Sequence, residues 1–121
     1  MHSIRGGLDN TMLSITDIKL LDQMKLNGAL LILFGGEHCG VCQSIKPQII
    51  AMLEQQFPDM QGIYIDCETS TDICAQHSVF TLPVVKAYID GMKVAEFGRS
   101  FSLTQLADAI DRPYSMWKNS F

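Results

Sequence analysis

The chain has 121 residues, of which 47% are hydrophobic and 18% charged, with a formal net charge of −4 at pH 7 and a sequence pI near 5.1. That is the length of a single domain, 1–121, with enough apolar residues for one core without staples. The acidic balance offers no basic patch for nucleic acid, and no apolar run reaches the length of a membrane span. Met1 to Asn10 has no apolar centre and does not read as a signal peptide, so the expected compartment is the cytoplasm, where thiols are kept reduced and structural disulfides are rare. The four cysteines are then expected to be catalytic or redox-responsive.

Residues 1–13 read as a loosely ordered arm or, at Met12-Leu13-Ser14-Ile15, as a short edge strand. Ser14 or Thr16 is placed to cap an amphipathic helix in which Ile18, Leu21 and Met24 recur at helical spacing, ending at Asn27-Gly28. Ala29-Leu30-Leu31-Ile32-Leu33-Phe34 contains no polar residue, and a strand apolar on both faces belongs in the middle of a sheet covered on both sides. After Gly35-Gly36 a helical pattern runs from about Gly40 to Phe57, with Ile45, Ile49, Met52 and Leu53 inward and Pro47 expected to kink it.

Gln61 to Asp66 reads as a second strand and Ser70 to His77 as a short helix capped by Thr69 or Ser70, with His77 on the surface or at its C-terminal end. Asp90-Gly91 between the apolar runs Val84–Ile89 and Lys93–Phe97 predicts an antiparallel hairpin. Ser102-Leu103-Thr104-Gln105 is a capping box opening a last helix with Leu103, Leu106, Ala107 and Ile110 on one face and Pro113 as its stop. The tail 113–121, with Tyr114, Met116, Trp117 and Phe121, is expected either to fold back on the domain or to offer a docking surface. The seven methionines are scattered and read as packing.

The chemistry lies in Glu37-His38-Cys39-Gly40-Val41-Cys42, at the join between the apolar strand and the long helix. A cysteine at a helix N-terminus meets unpaired N–H groups and the positive end of the macrodipole, which bring thiol pKa values down to roughly 3.5–7.5. Cys42 is one turn further on, nearly on the same face, so an exposed attacker would have a covered resolver beside it. A zinc knuckle needs a second ligand pair of finger-like spacing, which Cys67 and Cys74 do not supply, and a haem attachment site needs His where Gln43 stands. Two unrelated buried cysteines are the remaining plain reading.

The order helix, strand, helix, strand, short helix, hairpin, helix gives an α/β domain: a mixed sheet of four or five strands with helices on both faces. Cys39-Gly40-Val41-Cys42 at a helix start, Pro47 five residues after the second cysteine, Thr81-Leu82-Pro83 opening the third strand, Asp90-Gly91 in the hairpin and Gly98 after it follow one another as in the thioredoxin family, which the chain resembles over about residues 14–111. The resemblance implies a thioredoxin fold and disulfide exchange with protein substrates. Cys39 would be the attacking thiol, Cys42 the resolving thiol, and Pro83 a cis-proline whose preceding residues, Thr81 and Leu82, meet an extended substrate segment.

No metal or organic cofactor is implied within the chain; electrons would come from a flavin-dependent thioredoxin reductase and NADPH. The alternative from another class is an interaction or scaffold module that keeps the fold and holds a partner on its Pro83 face with little turnover.

The departures from the family pattern bear on the chemistry. His38 stands where Trp is usual, and a protonated His38 would stabilise the thiolate; with Gly40 and Val41 it is expected to tune the redox couple. Leu33 and Gly62 stand where the family usually has a buried Asp and its Lys partner, which leaves Cys42 without the usual base and Glu37 as the nearest carboxylate in sequence. Cys67 and Cys74 are expected either to form a reversible second disulfide or to have Cys74 buried as a small hydrophobe with Cys67 idle.

Overall fold

The computed structural model describes residues 12–120, so the arm before Met12 and Phe121 at the end of the tail lie outside the described residues. Its centre is strand β2 (Ala29–Gly35), every residue of which is buried. β2 pairs in parallel with β3 (Met60–Asp66) and antiparallel with β4 (Val84–Ile89). The edges are β1 (Leu13–Ser14), parallel to β3, and β5 (Met92–Gly98), antiparallel to β4. The sheet is therefore five-stranded and mixed, in the order β1-β3-β2-β4-β5.

The alternation of side chains along β2 explains its composition. Leu31 and Leu33 face one way, into a core with Ile45, Ile49 and Leu53 of α2 (Gly40–Gln56) and Leu106 and Ile110 of α4 (Leu103–Lys118). Leu30, Ile32 and Phe34 face the other way, against Leu21 of α1 (Ile18–Leu26) and Ile73 and Cys74 of α3 (Thr71–Gln76). Each fully buried large side chain contributes roughly 1.5–3 kcal/mol, so a strand loaded on both faces fixes its own place in the middle.

Local signals set the connections. Asp90 and Gly91 both have positive φ, 48° and 88°, the backbone of a tight hairpin turn. The Asp90 carboxylate accepts the Gly28 N–H at 2.7 Å and the Asp90 N–H donates to the Gly28 carbonyl at 2.9 Å, which ties this turn to the α1–β2 turn. Ser102 and Gln105 form the expected reciprocal box, each side chain accepting the other's backbone N–H at 3.0 Å.

Two expectations are corrected. The cap of α1 is Asp17 rather than Ser14 or Thr16: its carboxylate accepts the Lys19 N–H at 3.0 Å, while Ser14 is taken up by the pairing of β1 with Tyr64. Pro113 does not stop the last helix, which runs on to Lys118. An internal proline costs about 3 kcal/mol, and the turn beyond it supplies the offset. Tyr114 is buried with its ring 5.1 Å edge-on from Phe57, its hydroxyl accepts the Asp59 N–H at 3.0 Å, and Lys118 pairs with Asp59. The segment 113–118 thus folds back on the domain, with Trp117 packed against the core and Met116 exposed.

His77 takes the second of its two expected places, the C-terminal cap of α3, and is buried there. Its Nδ1 lies 2.9 Å from the Ile73 carbonyl and its Nε2 lies 3.0 Å from the Lys25 ammonium. Only a neutral ring with the proton on Nδ1 serves both, because Lys can only donate. Burial, above all, holds its pKa below the ordinary value. A neutral native histidine that charges on unfolding gives stability that is fully present above the unfolded pKa of about 6.5 and declines as pH falls below it. The urea midpoint should therefore drop between about pH 7 and about pH 5.5 more in wild type than in His77→Gln; equal drops in the two proteins would place the ring in solvent.

Candidate active site

At the end of β2 the chain turns through Gly36, Glu37 and His38, closed by a hydrogen bond from the Cys39 N–H to the Gly36 carbonyl at 3.1 Å. Cys39 is the N-cap of α2, with extended backbone (φ −95°, ψ 102°), and its sulfur accepts the Cys42 N–H at 3.2 Å. A first-turn donor therefore points at the sulfur where a thiolate would form, the arrangement that lowers a thiol's pKa. Cys39 and Cys42 are joined as a disulfide with Cα atoms 5.3 Å apart. Cys39 is half-buried while Cys42 is 0% exposed, so one sulfur is reachable and the other is covered.

The rest of the site gathers at this end of the sheet. Val84 pairs with Phe34, which sets Pro83 at the β4 end beside the last residues of β2. Pro83 is buried, the Leu82-Pro83 peptide is cis, Leu82 is half-buried and Thr81 exposed. Phe80, 79% exposed, precedes them, and Val41 is also exposed. On the other side of the helix start, Gly40, Val41, Ser44, Phe101 and Leu103 help line a groove of about 490 Å³.

Beneath the cysteines the two departures have physical reasons. Leu33 is fully buried in the core, and a Cβ on Gly62 would lie 3.0 Å from Leu53 Cδ1 and 3.3 Å from Met12 Cγ, so a side chain there would have to push these two aside. Tyr64, beside Leu33 in the register, takes the space over Gly35 instead: a Cβ there would meet Cys42 Cβ at 3.0 Å and the Tyr64 hydroxyl at 3.1 Å. The Gln43 amide links this hydroxyl, 3.4 Å away, to the Gly36 carbonyl at 3.0 Å. Burial raises the Tyr64 pKa, so its hydroxyl stays protonated at neutral pH.

The carboxylate that reaches the cysteine loop is Glu68, a residue the sequence did not single out, rather than Glu37 alone. Its Oε2 accepts the His38 backbone N–H at 3.0 Å and its Oε1 lies 2.9 Å from His38 Nδ1. The hydrogen bond and charge of Glu68 raise the pKa of His38, and those of His38 lower that of Glu68.

Cys67 and Cys74 are joined in a second disulfide, Cα atoms 5.7 Å apart, with Cys74 buried and Cys67 packed against its cluster. Among the described residues no three His, Cys, Asp or Glu side chains are grouped to hold a metal ion, and no helix is long and apolar enough to cross a membrane.

The family model for thioredoxin matches residues 13–112. The chain belongs to the thioredoxin family. It is 30% identical over 80 residues to the thioredoxin-like protein YdfQ of Bacillus subtilis, covering 66% of this chain and 70% of that one. It is 32% identical over 79 residues to the thioredoxin of Ophiophagus hannah, covering 65% and 73%. Among solved structures, a mutant thioredoxin from Halobacterium salinarum superposes with a TM-score of 0.74 at 24% identity, covering 87% of this chain and 91% of that one. The thioredoxin of Trypanosoma brucei brucei gives a TM-score of 0.75 at 13% identity, covering 86% and 91%. At such identities these likenesses speak for the thioredoxin fold; with a Cys-x-x-Cys pair at disulfide distance, family membership supports thiol–disulfide oxidoreductase chemistry in general.

Proposed function

We propose that the protein exchanges disulfides with protein substrates, Cys39 attacking and Cys42 resolving. The observation that carries this reading is the contrast at the start of α2: a reachable Cys39 sulfur accepting an N–H, and a Cys42 sulfur fully enclosed behind it. The reduced Cys39 thiolate attacks one sulfur of a substrate disulfide, forming a mixed disulfide and releasing the other substrate sulfur as a thiolate. Cys42, losing its proton to solvent, then attacks the Cys39 sulfur and expels the second substrate thiolate, so two electrons pass to the substrate and the Cys39–Cys42 bond forms.

Thr81 and Leu82, ahead of Pro83, offer backbone to an extended substrate segment, and His38, Gly40 and Val41 tune the couple. A thioredoxin reductase with NADPH would return the electrons, and the cytoplasm is the compartment in which that cycle runs. Cys67 and Cys74 are a second pair outside this cycle.

Reduction of insulin by dithiothreitol tests the reading. Catalytic amounts of the protein should bring on precipitation of the insulin chains well ahead of dithiothreitol alone. A wild-type protein that leaves the lag unchanged would make this fold an interaction module that holds partners on the Pro83 face.

A further inference from the structure

The turn Gly36–Cys39 is held from outside by Gln43, at the Gly36 carbonyl, and by Glu68. Glu68 follows β3 and sits thirty positions away in the chain, yet both its oxygens are spent on His38, one on the backbone N–H and one on the ring. Its own N–H donates to the Asp66 carboxylate at 2.8 Å, and the neighbouring Cys67 N–H donates to the Gly35 carbonyl at 2.8 Å, so its backbone is anchored to the end of β2. Gly36 completes the fit: a Cβ there would stand 2.6 Å from Glu68 Oε2, so the carboxylate occupies space that only glycine leaves open. The groups whose charges reach His38 are Glu68, Glu37 and Asp66, with the Cys39 thiolate next in the chain.

We propose that Glu68 is a positioning residue for the dithiol: by gripping His38 at backbone and ring it fixes the turn that presents Cys39 and couples the charge of the imidazole to that of the sulfur. Its effect on Cys39 rests on the exchange reading; the grip itself does not. Glu68 is an anion hydrogen-bonded to His38, so its loss lowers the His38 pKa; while His38 is still protonated, removing that negative charge from the cysteine loop also favours the thiolate. Glu68→Gln keeps an acceptor for the backbone N–H and removes the charge.

Nuclear magnetic resonance titration of the His38 ring in the oxidised protein, where Cys39 does not ionise, should show its midpoint fall in Glu68→Gln. Gly36→Ala, which keeps the carboxylate but pushes it aside, should lower the midpoint as well. In the reduced protein, alkylation of Cys39 at about pH 6 should rise about 1.5- to 5-fold in Glu68→Gln, the scale of an exposed charge interaction. A His38 midpoint that Glu68→Gln leaves in place overturns the proposal, and so does a midpoint that falls while Cys39 alkylation does not change. A protein inert towards insulin in which both shifts are seen supports the proposal and sinks only the exchange reading.

Discussion

Cys42→Ser should turn the protein from a catalyst into a trap. With Cys39 free to attack and nothing behind it to resolve, the mixed disulfide accumulates to about one substrate per chain while turnover falls to background. The asymmetry follows from access: Cys42 is 0% exposed in the first turn of α2, whereas Cys39 is half-buried at the rim. Cys39→Ser should therefore form no adduct, since the remaining thiol cannot reach a substrate sulfur. Intact-mass analysis after incubation with oxidised insulin reads both variants. An adduct on Cys42 in Cys39→Ser, in amounts matching that on Cys39 in the reciprocal variant, would remove the distinction between attacker and resolver.

Phe34→Ala should cost about 3–5 kcal/mol, the usual loss for a large aromatic in a closed core. Phe34 is 0% exposed on the central strand, its ring centroid 5.4 Å from that of His77 and 5.8 Å from the Lys86 ammonium. Lys86 is itself buried, donating to the His77 carbonyl at 2.6 Å, and burial lowers its pKa. Removing the ring opens a cavity beside a buried cation, so relaxation around it is unfavourable on two counts. Against a typical total of about 5–15 kcal/mol, the loss should be plain in urea unfolding. Met92→Ala, at a position 69% exposed on the edge strand, should change stability by less than about 0.5 kcal/mol. A Phe34→Ala loss below about 1.5 kcal/mol would mean that this face of the sheet is loosely packed.

What the sequence disclosed was whatever is written in neighbouring residues. The apolar run of β2, the Asp90-Gly91 turn and the reciprocal pairing of Ser102 with Gln105 each carry their cause within a few positions, and all three were readable. The Cys-x-x-Cys motif was readable for the same reason, since a helix start and its first turn are local. Pro113 misled because the reward for continuing the helix lies in Phe57 and Asp59, more than fifty positions back. Glu68 went unnoticed because nothing around it in the chain points to His38; only the meeting of β2 and β3 brings them together. Tyr64 could be placed on a strand, but its reach over Gly35 depends on the register of two strands, which no local pattern states.

The paired bonds between Gly28 and Asp90 close the end of the sheet farthest from the cysteines. That end of the β2–β4 ladder is thereby tied shut. The segments bearing Cys39, Glu68 and Leu82 gather at the opposite end, so a substrate that docks there meets the sheet away from this tie.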